Sequence, residues 1–298
     1  LFRSVERLEA EPGAMTFAGG TDLVPKLKRR QFRPTVLVSL EHLEELRGIR
    51  RSSEGVHIGA RTTIRELQNC AEFVDDSAIV RGAKLVASPA IRNRGTVGGN
   101  LLQDTRCQKY DRSELWREGL GWCMKCEGEI CRVAPGSDKC LAACCSDLAP
   151  AFIVHDARVK LVGGQTRILP LHALYQSDGA DHLEIERGEL LTEVIVPDGE
   201  VRSSYDKLRV RGGIDFPELG VAVALEEAGG QRFRIRVALS GIQADVPLWE
   251  EEVDPDEIDD FVDEVYRGAR PMDNAHFPPL YRKRCIRPYV QRQLEELR

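Results

Sequence analysis

The chain predicts an α+β protein with a cysteine-rich insertion, and three observations lead there. A glycine turn occurs twice in the first hundred residues, after a strand at Gly19-Gly20-Thr21-Asp22-Leu23 and after a second mixed α/β unit at Gly95-Thr96-Val97-Gly98-Gly99-Asn100. Beyond Asp156 the sequence turns strongly β, and two helical stretches close it, which is an α+β rather than a strictly alternating layout. There is no G-x-G-x-x-G followed about 20 residues later by an acid, and no G-x-x-x-x-G-K-[ST], so a doubly wound dinucleotide fold and a P-loop fold are both disfavoured.

Ser4 to Glu11 reads as a helix through Val5 and Leu8, and Pro12-Gly13 ends it. Ala14 to Ala18 is a strand, the first glycine turn follows, and Pro25 to Arg30 continues as helix. Thr35 to Leu40 and Val56 to Ala60 are strands. Thr63 and Glu66 have capping-box spacing, so a helix starts there, and Arg81 to Val86 is helical until Ser88-Pro89. Ala157 to Val162, Thr166 to Pro170 and Leu190 to Pro197 are strands, with a polar, acidic joint from Ser177 to Gly188. Tyr205 to Val210, Leu219 to Glu226 and Arg232 to Leu239 follow, the last two joined by a hairpin at Gly229-Gly230. Asp254 to Arg267 and Leu280 to Arg298 are helices.

The 298 residues carry 42% apolar side chains, enough for a packed core, and 30% charged ones. A net charge of -6 argues against a phosphate-backbone partner, so no nucleic acid is expected. No apolar run approaches the ~20 residues needed to span a bilayer. Leu1 to Glu9 has scattered charges and no apolar core, which does not read as a signal peptide. The expected location is the cytoplasm.

Seven of the nine cysteines fall between Cys107 and Cys145. In a reducing compartment such a cluster reads as metal ligands before disulfides. Cys70 and Cys285, far from it, read as ordinary thiols. A glycine turn lets backbone N–H groups converge on an anion without a Cβ in the way, and two such turns can hold both ends of a long anionic ligand. The plain alternative is two tight turns.

Three ordered motifs, Ala18 to Leu23, Ile91 to Asn100 and Ser146-Asp147-Leu148-Ala149-Pro150, make the chain resemble the FAD-binding subunit of the xanthine dehydrogenase and carbon monoxide dehydrogenase family of molybdenum hydroxylases. Lys207 to Pro217 fits that family's C-terminal domain. The resemblance implies a two-lobed FAD domain of the vanillyl-alcohol-oxidase type over residues 1–176 (lobes 1–52 and 53–176, insertion 103–145), then an α+β domain over 186–298. It places FAD along Thr16, Phe17, Ala18, Gly19, Gly20, Thr21, Asp22 and Leu23, then Thr96, Gly98, Gly99 and Asn100, with Asp147, Leu191 and Lys207 as further contacts. On residue type alone, Asp147 reads as a helix cap, Leu191 as core and Lys207 as a solvated charge.

The departure from the ordinary family pattern is the 45-residue stretch Leu101 to Cys145 between the second glycine turn and Ser146. It resembles the 4-hydroxybenzoyl-CoA reductase branch, whose flavin subunit carries an extra [4Fe–4S] cluster. By that resemblance the ligands are Cys107, Cys123, Cys131 and Cys140, four thiolates being the usual set. Cys126 is an alternative ligand through its C-x-x-C pair with Cys123, and Cys144 and Cys145 are left over. A structural zinc knot is the competing reading of the same cysteines. The implied partners are a molybdopterin-binding large subunit, a small subunit with two [2Fe–2S] clusters and a ferredoxin, in a dimer of heterotrimers. Electrons would run from ferredoxin inward to remove a phenolic hydroxyl reductively. A hydroxylase of an N-heterocycle or aldehyde, and a non-catalytic zinc-braced scaffold, are the alternatives.

Overall fold

The computed structural model describes residues 1–298. The N-terminal lobe runs α1 (Phe2–Ala10), β1 (Ala14–Phe17), α2 (Leu23–Lys28) and β2 (Val36–Ser39), with β1 and β2 paired in parallel. It packs a small core of Val5, Leu8, Leu40 and Leu190. The next lobe runs β3 (Ile49–Ser52), β4 (Gly55–Gly59), α3 (Ile64–Gln68), α4 (Ala78–Leu85), α5 (Pro89–Arg92) and α6 (Val97–Leu101). Thr63 and Glu66 cap α3 reciprocally, as their spacing predicts. The insertion contributes only one helix, α7 (Glu114–Gly119), and the chain re-enters the lobe at α8 (Leu148–Ile153), whose residues are all buried.

β5 (Arg158–Val162), β6 (Thr166–Pro170) and β7 (Leu190–Val196) complete a five-stranded sheet in the order β3-β4-β7-β5-β6. This moves one expected boundary. Leu190 to Val196 fell inside the expected second domain, 186–298, but it is the central strand of this sheet, paired with both β4 and β5. An apolar strand buried on both faces needs two neighbours, and only this sheet offers them. Thr192 is passed over in the pairing with β5, a bulge at which its hydroxyl donates to the Lys160 carbonyl at 3.1 Å.

The C-terminal part is an antiparallel sheet of β8 (Arg202–Leu208), β9 (Leu219–Gly229), β10 (Arg232–Ser240) and β11 (Leu248–Val253), covered by α9 (Ile258–Gly268) and α10 (Pro279–Leu297). The β3 and β11 strands are additions to the sequence reading. The alternation in β9 explains the layering. Leu219, Val221, Val223 and Leu225 face α9 and α10, whereas the small Ala222 and Ala224 face the lobe of the five-stranded sheet and let α4 and α8 come close. No helix is long and apolar enough to cross a membrane.

Candidate functional site

The two glycine turns meet in space. Gly19 lies so close to the second turn that an added Cβ would overlap the Arg94 carbonyl oxygen. Gly20 has φ +70°, and a Cβ there would meet the Phe17 ring at 2.8 Å, so both positions require glycine. The backbone N–H groups of Gly19, Gly20 and Thr21 donate to no protein acceptor. The second turn behaves differently. Val97 and Gly98 donate to the carbonyls of Thr62 and Ala60 at 2.9 and 2.8 Å, and Gly99 donates to the Thr96 hydroxyl at 3.1 Å. An expectation of N–H donors from both turns therefore holds for the first only, because the second is stitched to residues 60–63.

Between the turns opens a cleft of about 560 Å³, within the usual range for a bound small molecule. Thr16, Ala18, Gly20, Thr21, Asp22, Leu23, Thr96, Gly98, Gly99, Asn100 and Leu191 line it. Phe17 instead packs beneath Gly20, and Gly19 is the point of contact between turns. Residues beyond the motifs also line the cleft, among them Phe32, Arg61, Asp104, His182, Ile185 and Phe216. They lie in irregular segments, where side-chain periodicity carries no signal.

The glycine turn and the Ser146 segment touch, as the insertion reading requires. Asn100 Oδ1 accepts from the Ser146 hydroxyl at 2.7 Å and from Leu148 N–H at 3.2 Å, and Ser146 Oγ accepts from Ala149 N–H at 2.9 Å. Asp147 and Lys207, by contrast, do not line the cleft. Lys207 Nζ lies 2.8 Å from Asp147 Oδ1 and donates to the carbonyls of Leu85 and Asp215, both at 2.9 Å. The Tyr205 hydroxyl donates to the same carboxylate at 2.9 Å. Burial pushes the Asp147 carboxyl upward against the pull of Lys207 and Tyr205. Asp147 makes no side-chain cap and Lys207 is not solvated, unlike what residue type alone suggests; a buried charge needs a partner, and these two partner each other.

Cys107, Cys123, Cys131 and Cys140 come from four separated points of the insertion and line one cavity, together with Lys109, Tyr110, Lys125 and Arg132. All four are buried. Burial pushes the Cys107 thiol to about 12 and the Cys140 thiol to about 11. The side chains close the cavity to about 10 Å³, roughly one water. Four thiols are a donor set that could hold an iron–sulfur group, although the open volume as it stands holds no more than a water. No three His, Cys, Asp or Glu side chains are grouped to hold a single metal ion. Cys126 is half-buried and lies outside the cavity lining; Cys144 and Cys145 are buried elsewhere, where the Cys144 backbone clasps Gly241 and Gln243 of the C-terminal part.

A polar wall separates cleft from cavity. Asp104, on the cleft side, accepts from Lys26 Nζ at 2.7 Å and from Lys125 Nζ at 2.6 Å. Burial opposes its ionisation, but the two ammonium groups hold the carboxyl below its ordinary range. Arg106 pairs with Asp22 of the first turn, and its guanidinium lies 3.5 Å from the ring centre of Phe216, which reaches the cleft from the C-terminal part.

Residues 3–199 match the family described as FAD binding domain in molybdopterin dehydrogenase. The chain is 32% identical to the aldehyde oxidoreductase FAD-binding subunit PaoB of Escherichia coli (strain K12), over 78% of this chain and 75% of that one. It is 28% identical to the carbon monoxide dehydrogenase medium chain of Afipia carboxidovorans, over 95% and 88%. Among solved structures it superposes on reconstituted CO dehydrogenase from Oligotropha carboxidovorans with a TM-score of 0.76 at 24% identity, covering 99% of this chain and 93% of that one, a likeness of fold. With the turns, cleft and matched segment in agreement, the chain belongs to the family of FAD-binding domains in molybdopterin dehydrogenases and is a flavin subunit of the molybdenum hydroxylase type.

Proposed function

We propose that this chain is the electron-transfer subunit of a molybdenum-containing oxidoreductase and carries a [4Fe–4S] cluster beside its FAD. The observation that carries the reading is the convergence of Cys107, Cys123, Cys131 and Cys140 on one cavity, since four thiolates are the usual ligand set of such a cluster. The free N–H groups of Gly20 and Thr21 face the cleft and suit the pyrophosphate of FAD; Gly98 and Gly99 give close approach, and Leu190, Leu191 and Ile185 offer an apolar wall. When bound, FAD supplies the junction between one- and two-electron chemistry. The protein positions it, excludes water and sets the charge around it.

The complex this subunit fits is a 4-hydroxybenzoyl-CoA reductase, fed by reduced ferredoxin and completed by a molybdopterin-binding large subunit and a [2Fe–2S] small subunit in a dimer of heterotrimers. The 45-residue insertion supports it, because a second redox group at the flavin suits inward electron flow. The relatives' names favour a second reading, an oxidising complex: aldehyde oxidoreductase, carbon monoxide dehydrogenase and nicotinate dehydrogenase FAD-subunit all match. Asp147 and Lys207, facing one another, serve here as the lock between the flavin lobe and the C-terminal domain.

Anaerobic metal analysis, flavin absorbance and EPR after dithionite reduction test the proposal. Four irons and one FAD per chain, with a reduced [4Fe–4S] signal, are expected. Zinc in place of iron, or no metal, overturns the cluster. Oxidation of reduced viologen dependent on 4-hydroxybenzoyl-CoA in the assembled complex separates the reductase from the oxidising reading.

A further inference from the structure

The wall between the cleft and the thiol cavity is built from buried charge. Lys26 is 1% exposed, and the Lys125 and Asp104 side chains are 5% and 12% exposed. Asp104 lines the cleft and Lys125 lines the thiol cavity, so one ion pair has an end at each site. Lys125 is held further by the Thr105 hydroxyl and the Gly179 carbonyl. The buried Tyr110 ring lies beneath both lysines, 5.5 Å from Lys26 Nζ and 5.4 Å from Lys125 Nζ, and its side chain also borders the cavity. Packing alone does not call for two ammonium groups here. Buried ionic groups are costly unless paired, and a well-packed apolar cluster of similar volume is often at least as stable.

We infer that Lys125 and Asp104 are positioning residues that set the relative potentials of the two redox groups, Lys125 acting on the group held by the thiols and Asp104 acting on both. The inference rests on the cluster reading above. A positive charge beside a redox group favours its reduced, more negative form; a carboxylate favours the oxidised form. At an effective dielectric near ~20, a unit charge a few ångströms away is worth about tenfold or more in such an equilibrium. The low dielectric strengthens this influence, the close opposite charge shortens its reach, and no bond is made or broken at either residue. Because Asp104 joins both lysines, loss of its carboxylate leaves Lys125 without a carboxylate partner and Lys26 with Asp111 alone, 3.7 Å away.

The test is a redox titration of the FAD- and iron-loaded protein, followed by EPR for the thiol-held group and by absorbance for the flavin. Lys125→Gln is expected to lower the potential of the thiol-held group by about tenfold in the one-electron equilibrium, or about 59 mV. Lys125→Arg, which keeps the charge, is expected to stay near the parent. Asp104→Asn is expected to raise both potentials. Opposite signs from two variants of one ion pair are not what a purely structural role produces. Unchanged potentials in Lys125→Gln with full iron content overturn the inference, as does an Asp104→Asn protein with both parent potentials. If Lys125→Gln loses its iron, Asp104→Asn decides alone, since it leaves every cavity-lining side chain in place. A parent protein without iron instead refutes the cluster reading, and the flavin potential of Asp104→Asn then still tests the cleft half.

Discussion

Gly98 shows how a single missing side chain makes the cleft. Its N–H is committed to the Ala60 carbonyl, and an added Cβ would lie 2.9 Å from the Ala60 Cβ and 3.0 Å from the Ala60 oxygen. Both residues line the cleft, so relief of the overlap must push the second turn into the space meant for the ligand. Overpacking of this kind costs typically about 1–3 kcal/mol. Gly98→Val is therefore expected to fold with lowered stability and to purify with less than half the flavin of the parent, read as the ratio of flavin to protein absorbance. Full occupancy would mean that the second turn does not bound the ligand. His155 makes a different point. Its Nε2 lies 2.8 Å from the Ser203 hydroxyl, and burial, helped by the nearby Arg236, depresses its pKa to about 4. An unfolded histidine takes up its proton near 6.5, so between those values the unfolded state binds more protons and stability falls as pH falls. Discounted for partial solvent access, the loss is about 2 kcal/mol between pH 7 and pH 4. In His155→Gln that part of the pH slope should vanish in denaturant titrations; an unaltered slope would assign it to other groups.

The insertion is an element with little regular structure, held by contacts at its edges. Arg106 and Ala143 exchange backbone bonds at 2.8 Å, Asn274 Nδ2 donates to the Leu141 carbonyl at 2.6 Å, and Gly179 N–H donates to the Cys140 carbonyl at 2.8 Å. The buried Arg117 of α7 donates to the carbonyls of Arg29 and Arg30 behind α2. Its interior is small: Cys107, Tyr110, Cys123, Cys140 and Ala142. So few apolar side chains cannot order some 40 residues, and on the cluster reading ligand binding and folding of this element are one process. Cys131→Ser is expected to lose most of its iron and to expose the insertion to limited proteolysis between Cys107 and Cys145, while the C-terminal sheet stays resistant. Protection equal to the parent's would show that the edge contacts suffice.

Across the whole molecule, the flavin lobe and the C-terminal sheet share one core. Ala222, Ala224, Ala238 and Tyr205 belong to the same apolar cluster as Leu148, Phe152 and Leu161. The Asp147–Lys207 pair crosses this junction, and the three Lys207 protons meet three acceptors, Asp147, Leu85 and Asp215. Removing one partner of a buried pair strands the other charge, at a cost of about 3–5 kcal/mol. Lys207→Met should lower the unfolding free energy by that order in denaturant titrations. The double change Lys207→Met with Asp147→Leu should recover a large part of it. If the single change costs less than about 1 kcal/mol, the pair is not what joins the two parts.

Much of this protein is legible in order along the chain. The α3 capping box, the Gly229-Gly230 hairpin and the strands at Ala157–Val162 and Thr166–Pro170 depend on residues whose local chemistry points one way, whereas the contact between Asn100 and Ser146 follows from reading the stretch between them as an insertion. The α+β class and the kinship carried by the glycine turns were readable from the residues in order. Which sheet takes Leu190 to Val196 became clear from the packed fold, because an apolar strand accepts any pair of neighbours until the others are in place. Only that fold showed that Asp147 and Lys207 satisfy each other, since a buried charge is recognised by its partner and the two are 60 positions apart. The Lys26–Asp104–Lys125 wall was invisible for the same reason. Charged side chains in polar segments read as solvated, and it is the packing of the insertion against the first glycine turn that removes the water.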